Sequence, residues 1–257
     1  MDFLVARGQR LECRRIPPRR PQLPSLVFLH EALGSAAQWR DFPDQLAERT
    51  GAGALIYSRA GHGRSESLQV SSGAGHLMNE ATVVLPAVLA AAGIERPVLV
   101  GHSDGGTIAL MFAASTGAAA GLVVEAAHVF VEDVTVAGVA HARAAFNGGG
   151  LRDKLARWHD HVDPMFARWT GTWLDPTFRG WSMEPALESV SCPVLIIQGE
   201  PDPYGTMAQV DAIQRGVSGP ARTLVLPGGG HAPHATKAKE VLDVAAAFIA
   251  ALPKDRA

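Results

Sequence analysis

Cysteine is scarce in this chain: its 257 residues include only Cys13 and Cys192, which stand far apart. Two distant thiols give no disulfide framework, so none is expected. The sequence also lacks an apolar stretch long enough to cross a bilayer and an apolar signal core at its N-terminus. The formal net charge of −2 gives no general attraction to nucleic acid or acidic membranes. We therefore expect a cytoplasmic protein without nucleic-acid or membrane partners, whose oligomeric state stays open.

Apolar residues are plentiful, at 47% of the chain, and 27 glycines accompany them. Short β-rich apolar runs alternate with longer segments of helical periodicity, which predicts an α/β protein whose mostly parallel, twisted sheet has helices on both faces. Residues before 24 suit an antiparallel hairpin at the edge of the sheet. Pro86 is expected to kink the predicted helix 76–92. The predicted strands are residues 25–30, 54–58, 97–101, 121–126, 193–198 and 222–226, and the predicted helices are 36–50, 76–92, 103–115 and 237–252.

Residues 129–190 break this alternation. Four of the five tryptophans lie there, and Asn-Gly-Gly-Gly at 147–150 has the composition of a helix stop and hinge. We interpret the segment as a helical cap inserted into a core domain of residues 1–128 and 191–257. Most of its aromatic residues are expected to attach the cap to the core, while some line an apolar substrate pocket. The candidates for that pocket are Trp158, Trp169 and Trp173.

The most informative motif is Gly101-His102-Ser103-Asp104-Gly105, between an apolar strand and a helix. This G-x-S-x-G pattern in a strand–turn–helix setting holds a serine in a strained conformation and lifts its hydroxyl clear of the sheet. The amides at the start of the helix favour negative charge at the same place. The pattern predicts that Ser103 is a nucleophile.

A serine hydroxyl needs a base within hydrogen-bond reach. The candidate is His231, which ends Gly-Gly-Gly-His a few residues after the last predicted strand. Three glycines allow this loop to fold back and aim the imidazole. His234 is the alternative, although its place beside the last helix favours a capping or packing role.

The base in turn needs an acid that orients it. Asp202 follows the next-to-last strand and lies between two prolines that restrict its loop. Glu200 and Glu125 are the competitors. Asp202 is preferred because it completes the chain order Ser, Asp, His that such a strand–turn–helix nucleophile predicts.

The oxyanion that develops during acyl transfer needs two hydrogen-bond donors. One is the amide of Asp104, directly after the nucleophile. The other should come from residues 30–35, which follow the third strand, and the amide of Ala32 is the best candidate. No metal ion or cofactor is required for this chemistry.

These motifs together resemble the α/β-hydrolase-fold serine hydrolases. Besides residues 101–105, the segment Ser58-Arg-Ala-Gly-His-Gly-Arg-Ser65 is similar to the family's R-G-H-G-x-S turn. Residues 199–202 match the family's acid loop, and Gly230-His231 matches its histidine loop. The resemblance covers almost the whole chain, with the cap matching least well, and it implies an α/β-hydrolase fold with a Ser–His–Asp triad.

One position departs from the family pattern, because His30-Glu31 stands where His-Gly begins the oxyanion loop. A carboxylate facing an oxyanion would oppose catalysis, so Glu31 is expected to turn away and bond to neighbouring loops. The alternative is that Glu31 contacts the substrate or a water molecule in the site.

A second segment, His159-Asp160-His161, resembles a metal cluster only superficially. Two histidines at i and i+2 of a helix face different ways, which favours a surface position.

The sequence therefore supports an ester or lactone hydrolase that works through an acyl-enzyme and takes a small-molecule substrate. One alternative keeps the triad but cleaves a carbon–carbon bond in a diketone-type ring-cleavage product. Another is a non-catalytic ligand-binding protein on the same scaffold, since fold alone does not give function.

Overall fold

An eight-stranded sheet organises the computed structural model, which describes residues 2–67 and 75–253. Met1, residues 68–74 and residues 254–257 of the predicted core lie outside it. The strand order is β1-β2-β4-β3-β5-β6-β7-β8; β1 and β2 are antiparallel to their neighbours, and the remaining pairs are parallel. The strands are β1 (Asp2–Ala6), β2 (Gln9–Ile16), β3 (Leu26–Leu29), β4 (Ala54–Tyr57), β5 (Val98–His102), β6 (Gly121–Glu125), β7 (Val194–Glu200) and β8 (Ala221–Pro227).

Helices cover both faces of this sheet, which confirms the predicted α/β class. The helices are α1 (Phe42–Thr50), α2 (His76–Asn79), α3 (Leu85–Ala92), α4 (Asp104–Thr116), α5 (Asp133–Asn147), α6 (Gly150–Leu155), α7 (Val162–Trp173), α8 (Met207–Gly216), α9 (Pro233–Thr236) and α10 (Ala238–Ala250). On one face, side chains such as Leu99 pack against α3, α4 and α8. On the other, side chains such as Phe28 pack against α1 and α10.

Two predicted helices are interrupted. Residues 36–50 divide into a 3₁₀ turn, Ala36–Trp39, and α1, because Arg40 adopts a φ of 52° and reverses the chain between them. In the second helix, residues Glu80–Val84 are π-helical and α3 begins at Leu85, with Pro86 in its first turn. Proline lacks an amide donor and crowds the preceding turn, so the wider π turn accommodates it. The structure thus interrupts the predicted helix next to Pro86, while the kink itself stays a prediction.

Between β6 and β7 the chain forms α5, α6 and α7 and two 3₁₀ turns, Pro176–Gly180 and Glu184–Ser189. Helix α5 stops at Asn147, and Gly149 adopts a φ of 86°, so the predicted helix stop is confirmed. Stacked rings of Phe146 and Phe166, with centroids 3.8 Å apart, hold α5 against α7. The turn 184–189 instead buries Leu187 in the same core as α4 and α8. The division of the chain into core and cap at residue 190 stays a prediction.

None of the helices in the described residues combines the length and apolar composition that crossing a membrane requires. The parallel arrangement brings the carboxyl ends of β3, β5, β6, β7 and β8 to one edge of the sheet. In open α/β sheets this edge is where sites are built.

Candidate active site

Ser103 lies alone in the turn between β5 and α4. Its φ of 53° and ψ of −117° fall outside the regions that non-glycine residues usually adopt. Two flanking glycines make this turn possible: a Cβ on Gly101 would collide with the carbonyl of Gly105, and a Cβ on Gly105 would collide with the carbonyl of Leu29. The strained serine expected from the sequence is therefore present.

Three predicted side chains meet at the edge of the sheet. The Oγ of Ser103 lies 3.0 Å from Nε2 of His231. The Nδ1 of His231 lies 2.9 Å from both carboxylate oxygens of Asp202. Asp202 follows β7 and His231 follows β8, so neighbouring parallel strands bring the carboxylate and the imidazole to one place. This arrangement can move a proton from a serine hydroxyl to an imidazole held by a carboxylate.

Asp202 is oriented by more than the imidazole. Its Oδ2 accepts a hydrogen bond from Nε2 of Gln198, and its Oδ1 accepts one from the amide of Tyr204, both at 2.8 Å. Burial alone would raise the pKa of Asp202, but the hydrogen bonds and charge of His231 and these two donors bring it below its usual value. The sequence analysis missed Gln198, although a polar residue within an apolar strand, two positions before its end, is a usable signal.

The competing residues form a second pair. Glu125 Oε1 accepts from the amide and from Nδ1 of His234, at 3.1 and 2.8 Å. The His234 ring packs on Trp39, with centroids 4.7 Å apart, which accounts for the packing role expected of it. Glu200 is exposed and ends β7. The structure therefore brings neither Glu125 nor Glu200 to His231.

Glu125 and His234 also form, with His102, a group whose ligand atoms lie within 4.8 Å of one another. Such a trio has the composition of a metal site. Its atoms are already engaged, since Glu125 bonds His234 and the Nε2 of His102 lies 2.7 Å from the carbonyl of His231. We interpret the trio as a hydrogen-bonded support behind the His231 loop.

Ala32 and Asp104, whose amides are the predicted donors, line the same cavity as Ser103. Within residues 2–67 and 75–253, neither amide donates to a protein acceptor. Two free donors beside a serine hydroxyl can receive an oxyanion.

A model of the alpha/beta hydrolase family matches residues 26–244. The chain belongs to this family. In sequence it is 31% identical over 189 residues to the 2-succinyl-6-hydroxy-2,4-cyclohexadiene-1-carboxylate synthase of Salmonella heidelberg (strain SL476), covering 68% of this chain and 70% of that protein.

Solved structures share the fold of this hydrolase at lower identity. The enol-lactonase from Burkholderia xenovorans LB400 aligns with a TM-score of 0.77 and 18% identity, over 96% of this chain and 99% of that one. The esterase RhEst1 from Rhodococcus sp. ECU1013 aligns with a TM-score of 0.73 and 19% identity, over 98% and 99%.

The predicted oxyanion loop, residues 30–35, accepts hydrogen bonds from side chains outside it at four consecutive carbonyl groups. The first, on His30, accepts a long bond of 3.4 Å from Nη2 of Arg59. The carbonyl of Glu31 accepts from Nη2 of Arg59 at 3.0 Å. The carbonyl of Ala32 accepts from Nε2 of His62 at 3.0 Å. The carbonyl of Leu33 accepts from His159, a residue beyond β6. Arg59 and His62 belong to the turn at 58–65 that resembles the family motif.

The surface position predicted for His159 is wrong. Its exposed fraction is 3%, its Nδ1 accepts the amide of Gly63, and its Nε2 donates to the carbonyl of Leu33, both at 2.9 Å. The prediction relied on a helix at this position, but residues 156–161 connect α6 to α7. Outside a helix, residues i and i+2 need not face different ways, and the burial of each side chain depends on the segments that pack against it.

Glu31 turns back into its own loop, where its Oε2 accepts a short hydrogen bond from the amide of Leu33. The expected bonds to neighbouring loops are therefore replaced by one within the loop. The carboxylate still borders the Ser103 cavity. Burial raises the pKa of Glu31, although the Leu33 amide and nearby His231 and Arg59 oppose the rise.

Ser103 opens into a cavity of about 280 Å³ between the sheet edge and the helices beyond β6. Trp169 and Trp173 form part of its wall, together with Tyr204, whose ring centroid lies 4.7 Å from that of His231. Trp158 lines a separate cavity of about 430 Å³ instead. The two cavities adjoin each other beside the oxyanion loop and the His231 loop. The residues that line both cavities are Glu31, Gln38, His102 and Ala232.

Proposed function

We propose that this hydrolase cleaves carboxylic esters or lactones through an acyl-enzyme on Ser103. The observation that carries the proposal is the unbroken series from Ser103 Oγ through His231 to Asp202, with two free amides on the same cavity. A serine alone is a weak nucleophile, and a base oriented by an acid is what activates it.

In the first half of the reaction, Ser103 Oγ attacks the acyl carbon and His231 Nε2 takes the hydroxyl proton. Asp202 holds the ring and stabilises the imidazolium that forms. The amides of Ala32 and Asp104 receive the oxyanion. When the tetrahedral intermediate collapses, the bond to the alkoxy oxygen breaks and His231 gives that oxygen its proton.

In the second half, water attacks the acyl carbon and passes a proton to His231. The second tetrahedral intermediate uses the same two amides. Its collapse breaks the bond to Ser103, and His231 returns the proton to Oγ. The carboxylic acid leaves, and for a lactone it carries the hydroxyl group of the opened ring.

The cavity chemistry favours an uncharged acyl group. Among the described residues, no arginine or lysine lines the Ser103 cavity. Two acidic residues, Glu31 and Asp104, do line it. Trp169 and Trp173 supply apolar wall. The synthase relative is named for a product with succinyl and carboxylate groups, and such anions would meet these two acidic side chains. The cavity therefore gives that activity no specific support.

The second cavity suits the leaving group. It meets the Ser103 cavity at Gln38 and Ala232, and it is walled by Trp158, Trp39 and Phe42. An ester bound with its carbonyl at Ser103 would direct its acyl part under Trp173 and its alcohol part toward Trp158. In this arrangement all three cap tryptophans predicted from the sequence contact substrate, but on two sides of the scissile bond.

The test is turnover of a nitrophenyl ester series, lactones and a vinylogous diketone by the wild type and by Ser103→Ala. We expect ester or lactone turnover and labelling by a fluorophosphonate probe, both lost in Ser103→Ala and kept in the exposed control Ser182→Ala. Preferential turnover of the diketone would replace the proposal by carbon–carbon hydrolysis. An unlabelled, inactive wild type would indicate a binding protein on this scaffold.

A further inference from the structure

We propose that His159 is a positioning residue for the oxyanion hole, which makes the seating of the cap a condition for a correctly placed Ala32 amide. The inference goes beyond the proposed function and rests on it only where activity is the readout. His159 itself lies far in sequence from every proposed member of the triad.

Four consecutive carbonyls of the oxyanion loop, those of residues 30–33, accept hydrogen bonds from side chains outside the loop, and three residues supply these donors. Two of these donors, Arg59 and His62, come from the turn directly after β4 and so belong to the sheet domain. The third, on Leu33, is His159, in the connection between α6 and α7. Leu33 directly follows Ala32, whose amide is the proposed donor, so the loop is held from the sheet on one side and from the cap segment on the other.

The hydrogen bonds of His159 specify its protonation. Nδ1 receives the amide hydrogen of Gly63 and therefore carries no proton. The proton is on Nε2, which points to the carbonyl of Leu33. A neutral ring with one acceptor and one donor thus links the turn at 58–65 to the oxyanion loop. Burial lowers the pKa of His159, which keeps the ring in this neutral form.

The neighbouring contacts give an internal control. The amide of Asp160 donates to the carbonyl of Gly63 at 3.0 Å, and the Asp160 carboxylate pairs with Arg64. That ion pair joins the same two segments as His159, but both side chains are 47% exposed, and the hydrogen bonds of the two residues go to Glu12, Gly63 and each other. Exposed ion pairs contribute little to stability. Asp160→Asn therefore removes a weak link between the two segments and leaves the hydrogen bonds of the oxyanion loop in place.

Loss of the Leu33 anchor should free the loop and misplace the Ala32 amide. Removing an oxyanion donor outright costs a factor of about 10² to 10³ in rate, so a displaced donor should cost about tenfold or more. The interaction exists only with the tetrahedral species, so the loss should fall on kcat while KM changes less than about threefold.

The experiment compares His159→Phe, His159→Gln and Asp160→Asn with the wild type. His159→Phe keeps a ring but no polar atom, and we expect a tenfold or larger fall in kcat and in the rate of fluorophosphonate labelling. His159→Gln retains one acceptor and one donor, and should recover at least half of that loss on a logarithmic scale. Asp160→Asn should stay within about twofold of the wild type.

Hydrogen exchange gives a readout that is independent of activity. Amides of residues 30–35 should exchange at least tenfold faster in His159→Phe than in Asp160→Asn, even if the wild type turns over no ester. Equal exchange in the two variants, equal loss of kcat in both, or a loss confined to KM would each overturn the inference. If His159→Phe does not fold, the same comparisons are decided by His159→Gln and His159→Asn, of which the shorter asparagine should lose the Leu33 bond.

Discussion

Two histidine–carboxylate pairs lie side by side in this protein, and only one of them faces a serine. His231 binds Asp202 at 2.9 Å and has 19% of its side chain exposed to the cavity. His234, three positions later in the chain, binds Glu125 at 2.8 Å and is covered by aromatic rings. In both pairs Nδ1 of the histidine bonds the carboxylate, so the pairs have similar chemistry. The different roles we expect for them depend on the surroundings of the other ring nitrogen, Nε2, which in His231 lies next to Ser103.

The electrostatics of the pairs support this distinction. In the second pair, burial alone would raise the pKa of Glu125, but the charge of His234 and its hydrogen bonds bring that pKa below its usual value. Burial would lower the pKa of His234, yet the Glu125 charge and hydrogen bond raise it overall. In this buried pair each member favours the charged form of the other, whereas His231 has Ser103 at its second ring nitrogen and can exchange a proton with it.

The largest expected contrast is between the two imidazoles. His231→Ala should lower kcat by about 10⁴ to 10⁶, because the nucleophile loses its base. His234→Ala should stay within about tenfold of the wild type per folded molecule, since its imidazole reaches no reacting atom. Steady-state kinetics, with the folded fraction measured by circular dichroism, decide the matter. Comparable losses in the two variants would contradict the assignment of different roles.

The two carboxylates should separate activity from stability. Asp202→Asn is expected to lower kcat by about 10³ to 10⁴, since the amide no longer holds the imidazole in the required tautomer. Glu125→Gln should preserve kcat but lower the free energy of unfolding by about 2 kcal/mol, because a buried charge-assisted bond becomes a neutral one. Denaturant titration and kinetics on both proteins test this. A catalytic defect in Glu125→Gln equal to that in Asp202→Asn would sink the comparison.

The histidine between the pairs should respond to pH. Burial lowers the pKa of His102 to about 3, against about 6.5 in an unfolded chain. The unfolded state therefore binds the proton more readily, and stability should fall as the pH drops below about 6.5, by up to about 1.4 kcal/mol per pH unit for this residue. His234, whose pKa is raised, contributes in the opposite sense, with stability that is lost at higher pH.

Denaturant titrations between pH 7.5 and 5 check this dependence. His102→Gln should have a flatter profile than the wild type, and His141→Gln, at an exposed position, is the control for replacing a histidine by glutamine. Identical slopes in the wild type and His102→Gln would show that His102 does not titrate differently on unfolding.

The smallest expected effect concerns the cavity beside the second pair, which His234 also lines. Trp158 is 36% exposed at this cavity. Trp158→Ala should raise KM about three- to fivefold for aryl esters, as the loss of one aromatic contact of about 1 kcal/mol implies, and should not affect ethyl esters of the same acid. Trp158→Phe serves as the control that keeps an aromatic ring. An equal change for aryl and ethyl esters would place the leaving group elsewhere.

Local chemistry explains which parts of the site were predictable. The turn at Ser103 depends on residues within two positions of it, because glycine at 101 and 105 is what lets the chain reverse. Asp202 and His231 were found because parallel strands must end at one edge, and the loops that follow them therefore meet. Gln198 and His159 were missed because hydrogen bonding between distant loops leaves no periodic signal.

The sequence by itself determined the alternation of buried strands and helices, the strained turn at Ser103 and the sheet edge at which Asp202 and His231 emerge. Those features follow from backbone sterics and from the burial of apolar side chains, which act over a few neighbouring residues. Only the tertiary structure decided that His159 is buried on Leu33, that His234 pairs with Glu125 and that Trp158 and Trp173 line different cavities. A polar side chain takes its role from the partner that folding brings to it, and 126 positions separate Leu33 from His159.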